Sequence, residues 1–240
     1  MYSENIDIDE THIRLKTDLK LHSLSSYIFK IRSELKSYIK FNKNFLITFD
    51  KIKVENLESL PEIVQMMVRS SNLSDVGPMA TVAGTISQLS LNYLISKGSK
   101  NSIVENGGDI AIINNRKIVC GIYSNNKVIG NEIAFRLKPN KFPLGICTAS
   151  GRIGHSISFG DADSVTVIAD SSSLADGLAT RLANEVKGEN SQDAISNALE
   201  MAENYKELFK GVLIISGDNI GTIGKLPKLV KTKKFELDYI

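Results

Sequence analysis

The stretch Ser102–Ile113, SIVENGGDIAII, sets four polar or glycine residues, Asn106 to Asp109, between two β-like apolar runs. An Asn-Gly pair in that position is a strong hairpin signal, and a hairpin makes its two strands antiparallel. Two residues suffice for such a turn, yet a second glycine and an acid follow. Gly107 and Gly108 permit positive φ and carry no side-chain bulk, so their amides are also free to face a phosphate or a flat ring. A plain hairpin or bulge is the simpler reading of the motif taken alone.

Outward from this turn the C-terminal side stays β-rich. Ser102–Glu105, Ile110–Asn114, Lys117–Tyr123, Glu132–Pro139, Leu144–Thr148 and Ser164–Asp170 have the composition of strands. Helices are expected from about Ser173 to Lys187 and from Gln192 to Leu208, then a strand at Gly211–Ser216 and a short one near Gly221–Gly224. On the N-terminal side, a helix runs from near Pro78 to Gly98. Its first half is built of Ala80, Thr81, Ala83, Gly84 and Thr85, small residues that admit another backbone or a ligand. Another helix spans Pro61 to about Leu73. Leu24, Tyr27, Ile28, Ile31, Leu35, Tyr38 and Ile39 recur at helical spacing behind a Ser23 or Ser25 cap. FLITF (Phe45–Phe49) reads as a short strand, and Thr11–His22 alternates as a half-buried strand pair. Paired helices among antiparallel-looking strands give an α+β class, mostly antiparallel sheets packed with helices. No repeat or linker interrupts the chain, so 1–240 reads as a single domain with an N-terminal strand-helix-strand segment over 1–60.

With 42% apolar and 23% charged residues in 240, the chain matches soluble globular proteins that bury a substantial core. The net charge of +2 favours no polyanionic partner. No dense Lys/Arg cluster with interleaved aromatics occurs and Trp is absent, so nucleic acid is not expected as a partner. The basic segment KLPKLVKTKKF (Lys225–Phe235) reads as a solvated end. No apolar run approaches the roughly 18 residues a bilayer span needs, and MYSENIDIDE lacks the pattern of a signal peptide. Cys120 and Cys147 lie in strand-like runs and read as buried free thiols. The expected location is therefore cytoplasmic, without a membrane partner. The small-residue helix and the apolar strands suit a homodimer interface as readily as a core.

Two further segments carry chemistry. In SSSLADGLAT (Ser171–Thr180), Asp176 and Thr180 are four apart and project from one helical face, separated by roughly 6 Å of rise. Such a carboxylate and hydroxyl are able to share a hard cation such as Mg²⁺. The structural alternative is an acid near a helix N-terminus and a threonine bonded back to its own helix. In CTASGRIGHSISFGDADSV (Cys147–Val165), His155 stands in a glycine-flanked loop where an imidazole reaches a ligand, or serves only as a structural hydrogen-bonder. His12 and His22 look like surface residues.

Taken in order, GPMATVAG (Gly77–Gly84), ENGGDI (Glu105–Ile110), CTASG (Cys147–Gly151), GHS (Gly154–Ser156) and VTVIADSSSLADGLAT (Val165–Thr180) resemble the ApbE family of magnesium-dependent flavin transferases acting on FAD. The motif-bearing core spans about 77–182. The whole set is more similar still to uncharacterised protein family 0280, a shorter branch of that superfamily found largely in archaea and some bacteria. The resemblance implies an ApbE-like fold and Mg²⁺ held by Asp176, Thr180 and the backbone of Ala80. It implies a flavin nucleotide (FAD or FMN) against Gly107, Gly108, Asp109, Thr148, Ser150 and Gly151, with His155 and Asp176 as catalytic residues and a protein as acceptor. The transferases' H-H-I-I-D-P stretch is represented here only by GHSIS. Besides Mg-dependent FAD cleavage or FMN transfer, the residues also allow a non-catalytic flavin, pterin or nucleotide binder, or a biosynthetic enzyme with a pterin-like substrate.

Overall fold

The computed structural model describes residues 1–20, 22–122, 124, 126, 132–150 and 162–233. Eleven strands are present among them: β1 (Tyr2–Ile8), β2 (Thr11–Thr17), β3 (Ser102–Asn106), β4 (Asp109–Asn114), β5 (Ile118–Gly121), β6 (Ile133–Leu137), β7 (Asn140–Ala149), β8 (Ser164–Ala169), β9 (Gly211–Ser216), β10 (Asn219–Gly224) and β11 (Lys228–Lys231). The α-helices are α1 (Leu24–Phe41), α2 (Lys43–Ile47), α3 (Glu62–Ser74), α4 (Val82–Ser96), α5 (Ser172–Ala183) and α6 (Ser191–Glu203), with 3₁₀ turns at Leu57–Ser59 and Pro78–Thr81. Eight strands form one sheet in the order β1-β2-β3-β4-β7-β8-β9-β10, and three form a second, β11-β6-β5. Every pairing is antiparallel, so the α+β expectation holds.

Side-chain alternation explains the layering. Along β4, Ala111 and Ile113 join the helix-side core, while Ile112 faces the small sheet. Along β7, Cys147 and Ala149 face α5, whereas Leu144 and Ile146 face Phe135 and Leu137 of the small sheet. β8 and β9 are buried at every position because helices cover one face and the small sheet the other. α4 lies deep in the helical layer and buries polar residues as well as Leu89, Leu91 and Leu94. Thr85 pairs with Ser173 at 2.6 Å and Gln88 Oε1 accepts from the Ser172 amide at 2.9 Å, whereas the Ser90 hydroxyl is buried without a partner among the described residues.

Four sequence expectations change. FLITF begins inside helix α2 instead of forming a strand; only Phe45 is buried, and Leu46 and Ile47 are exposed with no strand beside them. The strand pair expected over Thr11–His22 is β2 with the preceding β1, in register from Thr11↔Ile8 to Thr17↔Tyr2. The supposed solvated end contains β11, which pairs with β6. His22 is no surface residue: its side chain is 7% exposed and lies 3.3 Å from the Glu4 carboxylate.

Candidate functional site

The Asn106–Asp109 turn is a two-residue hairpin, with Gly107 at φ +62° and Gly108 at φ +100°. Both positive φ values match the turn type that follows the twist of the strands, so backbone conformation alone accounts for the glycines. No atom lies within 4 Å of a Cβ built on either. The turn also fixes the direction of Asp109. As the first residue of β4 it shares the helix-side face with Ala111 and Ile113, and its carbonyl accepts the Ser87 hydroxyl of α4 at 2.8 Å.

Opposite it, the start of α5 is wedged between α4 and β7. At Gly145 of β7 a Cβ would overlap the Ser171–Ser172 backbone. At Gly84 of α4 it would overlap the Ser172 carbonyl and lie 2.6 Å from Asp176 Cβ. The small-residue stretch is thus used to seat one helix on another. This closeness lets the Gly84 amide donate to Asp176 Oδ2 at 2.9 Å, while Ser172 Oγ donates to the Gly84 carbonyl at 2.7 Å. Gly177, one residue on, lies against Ser74 of α3 and Thr81. Ala80 therefore sits in a turn packed on the same helix, α5.

The structural alternative for the Asp176–Thr180 pair is met in part: Asp176 accepts a first-turn amide, though of α4 rather than of its own helix, whereas Thr180 is not bonded back to its helix. Asp176 is bonded across helices, has no ion-pair partner among the described residues, and is 8% exposed. Thr180 is 5% exposed, and its Oγ1 is buried without a hydrogen-bond partner among those residues. Burial pushes the Asp176 carboxyl well above its usual range, and the nearby charge of Asp109 pushes the same way. Burial also raises Asp109, to about 7, although the Cys147 thiol and the Thr148 amide hold it down. Cys147, buried beneath both acids, donates to the Ser172 carbonyl at 3.1 Å. Burial and the two carboxylates raise its pKa, so it remains a thiol and no nucleophile.

The other expected residues divide. Thr148 brings its backbone amide to Asp109, but its hydroxyl pairs with Thr166 Oγ1 at 2.9 Å on the small-sheet face. Ser150 is partly buried just after β7. Gly151 and His155 lie outside the described residues. Sequence reasoning missed the Gly84 amide and Cys147; the signal for the first was the small-residue run itself. Among the described residues no three His, Cys, Asp or Glu side chains are grouped to hold a metal. A cation at Asp176 would thus be completed by hydroxyl, carbonyl, water or phosphate oxygens. A shallow depression lined by Asp163, Asn190, Ser191 and Gly217 is formed by other residues, and its carboxylate already accepts from Asn126 Nδ2 and the Gly217 amide. No helix among the described residues is long and apolar enough to cross a membrane.

The layered antiparallel sheet, with a partly buried carboxylate at the start of β4 and a buried one on the facing helix, is the architecture of an ApbE-like fold. A family profile described as AbpE bacteria matches residues 5–220. The flavin transferase ApbE from Vibrio cholerae superposes with a TM-score of 0.57 at 15% identity, over 98% of this chain and 97% of that one. The apo flavinyl transferase ApbE of Pseudomonas stutzeri gives 0.61 at 13% identity, over 97% and 94%. The chain belongs to the UPF0280 branch of this superfamily. The UPF0280 protein of Methanobrevibacter smithii is 59% identical over 237 residues, 99% of either chain. That of Methanothermobacter thermautotrophicus is 49% identical over 231 residues, 96% of this chain and 89% of its own.

Proposed function

We propose that the protein is a Mg²⁺-dependent FAD-processing enzyme that breaks the FAD pyrophosphate, releases AMP and passes FMN to a hydroxyl of an acceptor protein. The observation that supports this reading is Thr180 Oγ1, buried one helical turn from a carboxylate, the hydroxyl without a partner and the carboxylate without a cation among the described residues. A buried hydroxyl without a partner costs about 1–3 kcal/mol, so its retention fits a ligand role. Asp176 and Thr180 would hold the ion, with the Ala80 carbonyl as third protein ligand. Bound there, Mg²⁺ supplies neutralisation of pyrophosphate charge. The Gly84 amide orients Asp176, and the Thr148 amide orients Asp109. The open space beside Gly107 and Gly108 leaves their backbone accessible to phosphate or ring. His155 is assigned the proton transfer from the acceptor hydroxyl by the family resemblance.

Purified protein given FAD and Mg²⁺ should release AMP, with an EDTA-sensitive rise in flavin fluorescence, and Asp176→Asn should abolish both. Thermal stabilisation by FAD without any AMP would instead assign a non-catalytic flavin-binding protein.

A further inference from the structure

The three-stranded sheet gathers cations that are far apart in sequence. Arg116, Lys117, Arg136, Lys138 and Lys141 come from the middle of the chain, and Lys225, Lys228, Lys231 and Lys233 from near its end; all nine are exposed. The pairing of β11 with β6 joins the two groups, setting Lys228 directly opposite Arg136, with Val119 on Arg136's other side. Phe135 and Leu137 turn inward to the core, so Val119, Arg136 and Lys228 form an outward row. Lys138 shares the face of Arg136 by alternation. One described acid of these strands and their flanks, Glu132, lies 3.4 Å from Lys231. The other eight cations have no ion-pair partner among the described residues, in a chain whose formal net charge is only +2.

We propose that this sheet binds the phosphate backbone of a nucleic-acid duplex without reading its sequence. Like charges directly opposite one another destabilise the free sheet, and an external polyanion relieves that repulsion. On this face Arg136 and Lys228 stand about 4.8 Å apart across the strands, and Lys138 follows Arg136 at about 7 Å along the chain. A duplex carries one charge per roughly 1.7 Å of axis, and neutralising its phosphates releases counterions. The outward row itself has no aromatic, and the exposed Phe142 beside Lys141 is a single ring rather than a series on which successive bases would stack. Val119, Leu229 and Phe142 are exposed apolar groups on these segments, but they lie on different strands and form no helical apolar face for insertion into a lipid interface. A second copy of the same face would repel it. The face also lies away from the carboxylates: Arg116 follows the end of β4 and Lys141 opens β7, whereas Asp109 begins β4 and Thr148 is near the end of β7. The absence of a dense basic cluster in the sequence concealed it, because strand pairing creates the cluster.

The test is fluorescence anisotropy with a labelled duplex of about 30 base pairs, titrated with the full chain between about 50 and 200 mM salt. Binding should weaken steeply with salt. The Arg136→Gln/Lys228→Gln pair should lower affinity at least about tenfold and flatten the log–log salt slope by about two. Its thermal midpoint should stay at or above that of the parent, because a repulsive pair is removed, and a Lys30→Gln/Lys40→Gln control on α1 should bind as the parent does. No binding at the low salt would overturn the proposal and leave the lysines as guards of the β11 edge. Indifference to the paired substitution, or tighter binding to phosphatidylglycerol vesicles or polyglutamate than to the duplex, would overturn it as well.

Discussion

Thr180 and Asp176 are individually unfavourable where they stand. Both are buried, and among the described residues Thr180 Oγ1 has no partner, while Asp176 has no cation and accepts the Gly84 amide. Replacing Thr180 by valine keeps the shape and removes the orphaned oxygen. In metal-free protein, Thr180→Val should therefore be neutral or stabilising by up to about 1–2 kcal/mol in urea unfolding. The same variant should lose the rise in thermal midpoint that Mg²⁺ with FAD gives the parent. A variant that unfolds more easily yet keeps the Mg²⁺ response would return the hydroxyl to a structural role. Thr148, by contrast, spends its hydroxyl on Thr166 across the sheet, so its contribution to the site is its backbone.

At the level of elements, two glycine positions that look alike in sequence have different physics. Gly84→Ala would drive a Cβ into the Ser172 carbonyl and against Asp176 Cβ, where backbone on both sides has no room to give. A loss of roughly 1–3 kcal/mol is expected by denaturant unfolding, together with loss of flavin turnover through the displaced Asp176. Gly107→Ala and Gly108→Ala meet no atom but force positive φ on a residue with a Cβ. Each should cost about 1 kcal/mol of stability, roughly the left-handed penalty alone. The turn geometry makes a stability loss part of any binding defect that a side chain there causes. The hairpin and the i, i+4 pair were legible because each is a local pattern with a fixed spacing. FLITF was not, since whether a five-residue apolar run is helix or strand depends on neighbours that its sequence does not contain. β11 was hidden for the same reason: its strand character comes from pairing with β6.

Across the whole molecule, the antiparallel layers were readable from alternation, but the facing of Asp109 toward Asp176 was not. That depends on how α5 fits between Gly84 and Gly145, two positions whose meaning appears only when the backbones meet. The pairing has a global consequence through proton linkage. In the unfolded chain an aspartate loses its proton near about 3.9. Folded, Asp109 keeps it until about 7. Between those values the folded state holds the extra proton, so metal-free stability should be greatest at the acid end of this window. It should fall as pH rises through it, with no further loss from this group above about 7. Asp176, raised in the same direction by burial and by Asp109's charge, adds to the decline. A divalent cation needs the deprotonated carboxylate, so its stabilising effect should have the opposite slope: weak near about pH 5 and strong near about pH 8. Thermal midpoints measured across that range, with and without Mg²⁺, should diverge as pH rises. Asp176→Asn should flatten the metal-free curve and close the gap between the two. Parallel curves for parent and variant would mean that neither a proton nor a cation is exchanged at Asp176 on folding.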